Sequence, residues 1–110
     1  MKHPIVLPEP PSANRWWRRA GNHMHLSSEA RDYKTNLERM RKRIVKGPVK
    51  VSLDWYRGRK SGDLDKRIGI ALDAMQGVFF ENDSQVVELI ARRFDDPKNP
   101  RIEVRVEAVA

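Results

Sequence analysis

The sequence contains no cysteine, which excludes a disulfide framework, a thiolate zinc site, an iron–sulfur cluster and a cysteine nucleophile. Any chemistry falls to carboxylates, hydroxyls, nitrogen bases or hard metal ions. No apolar run approaches the roughly 18 residues of a membrane span, and the start, Met1-Lys2-His3-Pro4, lacks the apolar stretch of a secretory signal. The expectation is a cytoplasmic protein with no membrane partner. There is also no internal repeat, low-complexity tract, linker, Ser-His-Asp arrangement or phosphate-cradling glycine loop. Nucleophilic catalysis and nucleotide hydrolysis gain no support. What remains is a chain of 110 residues, a length that predicts one domain, 1–110, around one modest core.

Charge is distributed unevenly along this chain. Lys and Arg number 22 against 15 Asp and Glu, a formal +7. Residues 15–46 hold ten bases (Arg15, Arg18, Arg19, Arg31, Lys34, Arg39, Arg41, Lys42, Arg43, Lys46) and three acids (Glu29, Asp32, Glu38), so the excess lies there. From Gly47 onward eleven bases balance eleven acids. Clustered bases are the footprint of nucleic-acid binding, because each neutralised phosphate releases condensed counterions. A solvated basic helix face has the same composition, and a high pI also describes ribosomal and membrane-surface proteins.

Hydrophobic spacing predicts the elements. Ile5-Val6-Leu7 followed by Pro8, Pro10 and Pro11 reads as an edge strand and a rigid loop. Ser27 or Ser28 caps a helix whose stripe is Ala30, Tyr33, Leu37, Met40 and Ile44, stopped at Gly47-Pro48. Val49, Val51, Leu53 and Trp55 alternate with polar residues as a half-buried strand does. Leu64, Ile68, Leu72 and Met75 form a second helical stripe ending at Gly77, and Val78-Phe79-Phe80 reads as core or dimer contact. Gln85 to Phe94 reads as a strand, although a helix also accommodates its mostly apolar middle. Ile102, Val104, Val106 and Ala108 alternate as a final strand. The predicted fold is a two-layer α+β domain with helices packed on one face of a mixed β-sheet.

Asp63-Leu64-Asp65 stands where a glycine-containing loop enters the second helix, and Asp83 lies in the turn Glu81-Asn82-Asp83-Ser84. Two or three converging carboxylates suit a hard divalent cation such as magnesium, which can polarise a phosphodiester and lower the pKa of bound water. The same acids also suit plain capping, the helix macrodipole and turn formation. Spacing alone leaves both meanings open. Trp16 and Trp17, set among Arg15, Arg18 and Arg19, could stack on exposed bases, or one of them could pin the loop to the core. His23 and His25 have no nearby acid and make a poor metal site. Asp73 is either support for the carboxylate site or a solvated helix acid.

Three blocks carry a family resemblance: Leu7-Pro8-Glu9-Pro10-Pro11-Ser12-Ala13-Asn14-Arg15-Trp16-Trp17, His25-Leu26-Ser27-Ser28-Glu29-Ala30-Arg31-Asp32-Tyr33, and Asp63-Leu64-Asp65 running on through Leu72-Asp73-Ala74-Met75-Gln76-Gly77-Val78 to Asn82-Asp83-Ser84-Gln85-Val86. In order and spacing the chain resembles the RusA family of Holliday-junction resolvases, small endonucleases common in phages and prophages. The resemblance implies a homodimer that binds four-way DNA junctions and nicks two strands symmetrically by magnesium-dependent hydrolysis, with manganese as the alternative ion. It implies that Asp63, Asp65 and Asp83 are metal-binding carboxylates. It also assigns DNA contact to Asn14, Arg15, Trp16, Trp17, Arg18 and Arg19, and to Lys34, Arg41 and Lys42 on the basic helix.

The chain departs from the family pattern at two positions. Asn usually follows the second Asp, and a catalytic Lys stands four residues beyond that Asp; here these are Lys66 and Gly69. Loss of that cation removes charge stabilisation at the phosphate. Lys66, three residues before Gly69, is the candidate substitute and is counted with the catalytic residues. The alternative is a catalytically impaired binder of branched DNA on the same scaffold.

Overall fold

The computed structural model describes residues 4–40 and 44–109. Four strands form one sheet in the order β1 (Ile5–Pro8), β6 (Arg101–Ala108), β4 (Val49–Arg57), β5 (Val86–Asp95). β6 pairs antiparallel with both β1 and β4, and β5 lies parallel to β4, so the sheet is mixed. A parallel pair needs a long crossover, and α3 (Leu64–Met75) supplies it between β4 and β5.

Alternation in the sequence becomes one buried face. Val49, Val51, Leu53 and Trp55 of β4 and Ile102, Val104 and Val106 of β6 are buried, while their alternating neighbours are more exposed. Against that face pack Ala30, Tyr33 and Leu37 of α2 (Ser28–Met40), and Ile68, Ala71, Ala74 and Met75 of α3. Val78, Phe79 and Phe80, which follow α3, belong to the same core. The result is α+β, as the patterning predicts.

Two local expectations are corrected. The α2 stripe suggested a helix running through Ile44, but Ile44 is not helical and Val45 forms a parallel bridge to Phe80, its N–H donating to the Phe79 carbonyl (2.8 Å). Ile44 keeps the spacing of the stripe without belonging to the helix. The rigid loop expected up to Asn14 gives way at Ala13 to a short helix, α1 (Ala13–Trp16), and residues 17–26, for which no element is predicted, form a hairpin of β2 (Trp17–Ala20) with β3 (His23–Leu26). The hairpin's residues are almost all exposed, so no buried face imposed alternation on them.

Ser27 locks this region. Its buried Oγ accepts from the Ala30 N–H (3.0 Å) as the cap of α2 and donates to the Arg15 carbonyl (2.6 Å). Tyr33 ties α2 to the sheet edge by donating to the Pro8 carbonyl (2.6 Å). Burial raises the pKa of its hydroxyl, with the Arg67 charge opposing, so the phenol remains a neutral donor.

Candidate active site

Asp63 occupies the N-cap position of α3, yet its side chain makes no capping hydrogen bond. Capping therefore does not account for this carboxylate. Its nearest cation is Lys66, with Nζ 3.7 Å from Oδ2 on the solvent-exposed surface. Gly62 precedes it at φ +98, where a β-carbon would also crowd the Trp55 ring at 3.3 Å, so glycine is needed for the chain to enter the helix at this angle.

The start of α3 presents two faces. Asp63, Lys66 and Arg67 line a cleft of about 280 Å³ together with Ser12, Ala13 and Asn14. Asp65 and Gly69 line a separate apolar groove of about 360 Å³ between α3 and β5, walled by Leu64, Ile68, Leu72, Leu89 and Ala91. Gly69 is four helical steps from Asp65, about 40° around the axis, and shares its groove, whereas Lys66 lines the Asp63 cleft. Lys66, the candidate substitute for the lysine absent at position 69, and Gly69 thus line different hollows.

Asp83 lies at the other end of α3. Every backbone N–H from Glu81 to Gln85 has a partner. Glu81 and Asn82 donate to Gln85 Oε1 (2.7 and 3.0 Å), Asp83 to Gln76 Oε1 (3.1 Å), Ser84 to Asn82 Oδ1 (2.9 Å) and Gln85 to the Asn82 carbonyl (3.0 Å). Gln85 Nε2 in turn donates to the carbonyls of Val45 and Gly47. The turn is therefore rigidly tied and presents an exposed Asp83. The N-x-x-Q spacing of this capping box was readable in the sequence; the part played by Gln76 was not.

The three carboxylates do not converge within one copy. Among the described residues no three His, Asp or Glu side chains group closely enough to hold a metal ion. Gln76, which holds Asp83, is eleven positions beyond Asp65, and at 1.5 Å per residue the helix separates the two ends by about 16 Å. The donors themselves are suitable, being hard, exposed oxygens. Among the described residues neither Asp65 nor Asp83 forms an ion pair.

The basic side chains predicted to hold DNA divide by exposure. Asn14, Arg15, Arg18 and Arg19 are exposed, Arg15 in an ion pair with Glu29 (2.9 Å). Trp17 is exposed to 43 %. Trp16 is corrected: it is fully buried, packs edge-on against Tyr33 and donates its indole N–H to Asp73 Oδ2 (3.1 Å), so it has no face to offer a base. Lys34 is half-buried and donates to the Asp73 carbonyl (3.3 Å). Arg41 and Lys42 lie outside the described residues.

Two further residues escaped the sequence reading. Glu9 accepts from the Trp55 indole (2.8 Å) and the Gly58 N–H (3.2 Å), and Arg67 lies over the Trp55 ring while donating to the Pro10 carbonyl (2.9 Å). Burial lowers the Arg67 pKa and the Glu9 carboxylate opposes the shift, though an arginine stays charged at any working pH. These contacts fasten the Pro10-Pro11 loop to the start of α3. They also floor a second hollow, of about 420 Å³, that meets the Asp63 cleft at Ser12 and Arg67.

Residues 8–107 match the family model described as Endodeoxyribonuclease RusA. The chain is 31 % identical over 109 residues to crossover junction endodeoxyribonuclease RusA of Shigella sonnei (strain Ss046), covering 93 % of this chain and 91 % of that protein. Identity and coverage are the same for the protein of that name from Escherichia coli (strain K12). Over 113 residues they are the same again for that of Enterobacteria phage 82. The chain belongs to the RusA family of endodeoxyribonucleases. Among the described residues no helix is long and apolar enough to cross a membrane.

Proposed function

We propose that this chain, as one endonuclease domain over 1–110, works as a homodimer that resolves four-way DNA junctions with a divalent metal ion, magnesium or manganese. The observation that carries the dimeric form of this reading is the separation of the carboxylates along α3. Asp63 and Asp65 stand at one end and the Asp83 turn is held at the other, so these three carboxylates do not form a site within one copy.

A second copy can supply the missing donor. β5 is the outer strand of the sheet, and Val87, Leu89 and Ile90 on it are exposed to 62, 43 and 40 %. A long apolar edge of this kind is a template for another strand. Leu89 and Ala91 adjoin the Asp65 end of α3, and the Asp83 turn leads into the start of β5. Antiparallel pairing of β5 with its two-fold mate therefore carries the Asp83 turn of each copy toward the Asp65 end of the other. Two composite sites related by a two-fold axis would match the two-fold symmetry of paired cuts.

When bound, the ion would polarise the phosphodiester and stabilise charge on its oxygens. Asp63, Asp65 and Asp83 are its proposed ligands. Lys66, beside Asp63, is placed to meet a phosphate in the adjoining cleft. Exposed Asn14, Arg15, Arg18 and Arg19 would hold the strand backbone, exposed Trp17 would stack on an open base, and base sequence would be left unread.

Complementation tests the reading. Asp65→Asn and Asp83→Asn should each bind a labelled four-way junction and fail to cut it. In a composite dimer, a mixed pair of these variants holds one site with both losses and one intact site. Mixing them after brief unfolding should restore single nicks at about a quarter of the wild-type site count. Restored nicking supports shared sites. If the single variants are dead and mixing restores nothing, each site is built within one copy. If wild type binds without cutting and Gly69→Lys cuts, the scaffold is a resolvase disabled at position 69.

A further inference from the structure

Asp73 and Gln76 lie away from both clefts at the start of α3, yet they form a connected chain of hydrogen bonds whose polarity is fully determined. Gln76 Oε1 accepts the Asp83 N–H (3.1 Å), which leaves Gln76 Nε2 to donate to Asp73 Oδ1 (3.3 Å). The other Asp73 oxygen accepts from the indole of Trp16 (3.1 Å), itself fully buried. Trp16 is packed in the core, edge-on against Tyr33, and so anchors Asp73. Asp73 fixes which way the Gln76 amide points, and Gln76 fixes the Asp83 backbone.

We propose that Gln76 is a positioning residue, oriented by Asp73 and Trp16, that sets the Asp83 turn for cation binding. The inference rests on Asp83 being a metal ligand, as proposed above. An ionised carboxylate can only accept hydrogen bonds and an amide side chain must both donate and accept, so the relay works in one arrangement of the two groups, or in its mirror. Asp73→Asn alone sets an amide N–H₂ against another donor, either the Trp16 indole or Gln76. Gln76→Glu alone sets two carboxylates against each other. The double variant, Asp73→Asn with Gln76→Glu, restores every bond: the amide introduced at position 73 would accept from Trp16 and donate to position 76, which would still accept from Asp83. A side chain that merely filled space would show no such rescue.

The test is residue-resolved amide exchange on the full chain, with manganese titration by calorimetry on the same samples. Loss of one hydrogen bond should speed exchange at the Asp83 N–H by about tenfold in Gln76→Ala and in each single polarity variant. The Gln85 N–H, bonded within the turn, should change little, and the double variant should return the Asp83 rate toward wild type. An unchanged Asp83 rate in Gln76→Ala, or a double variant as fast as the singles, overturns the relay. Manganese affinity should fall in Asp83→Asn and Gln76→Ala and recover in the double variant. If Asp83→Asn weakens manganese and Gln76→Ala does not, the positioning role is overturned while the functional reading stands. If neither changes it, Asp83 is no ligand, and the functional reading and the positioning role fall together even where the exchange pattern holds.

Discussion

At position 69 a β-carbon would meet nothing within 4 Å, and the backbone there is helical. The glycine therefore serves no packing or conformational need. It costs about 1 kcal/mol of helix propensity relative to alanine, and a lysine there would sit four residues after Asp65, on its face. Gly69→Lys should raise stability in urea unfolding by about 1 kcal/mol and increase junction cleavage, whereas Gly69→Ala should give the stability alone. A more stable Gly69→Lys with unchanged cleavage would show that the chain lacks nothing at this position. Single residues were unevenly legible in the sequence. Asp63, Asp65 and Asp83 stand out by motif, but adjacent Trp16 and Trp17 look identical there, and only the end of α1 between them sends one into the core and the other to solvent. The relay through Gln76 joins residues distant in the chain, up to 57 positions apart between Trp16 and Asp73, and no local pattern announces that.

Among the elements, those with one buried face were readable and those without were not. β4 and β6 alternate because the helices cover one side of them, and α3 shows its stripe because it packs on that same side. The β2–β3 hairpin buries almost nothing and left no periodicity. β5 was ambiguous between strand and helix for a related reason. Its apolar residues fall on both faces and most stay exposed, the pattern of an edge that still lacks its partner. This gives a direct prediction for Leu89, which is exposed to 43 % and lies on the groove beside Asp65. Leu89→Lys adds a charge to the strand edge, a substitution that blocks edge pairing while leaving the buried core intact. Sedimentation should show the wild-type chain as a dimer and Leu89→Lys as a folded monomer with an unchanged circular dichroism spectrum, and its cleavage should fall with the dimer. A monomeric Leu89→Lys that still cuts would remove the need for a shared site, and a wild-type monomer would remove the dimer itself.

Across the whole molecule, the charge excess and the carboxylates occupy different places, and binding should separate from chemistry accordingly. The net +7 resides in residues 15–46, and within it Arg18 and Arg19 project from an exposed hairpin while Asp65 and Asp83 mark opposite ends of α3. Affinity for a four-way junction should fall linearly with salt on logarithmic axes, and each phosphate contact removed should flatten that slope by about 0.9. Arg18→Gln and Arg19→Gln should each produce that change on the junction and on a duplex of equal length, since neither reads branching. Trp17→Ala should instead lower affinity for the junction by about 1–3 kcal/mol with no change in salt slope, because stacking releases no counterion and a closed duplex offers no open base. Anisotropy titrations at several salt concentrations, with EDTA present to hold cleavage off, separate the two effects. Equal losses on junction and duplex for Trp17→Ala would move that side chain from base stacking to support of the hairpin, and an unaltered slope in both arginine variants would place the phosphate track elsewhere on the molecule.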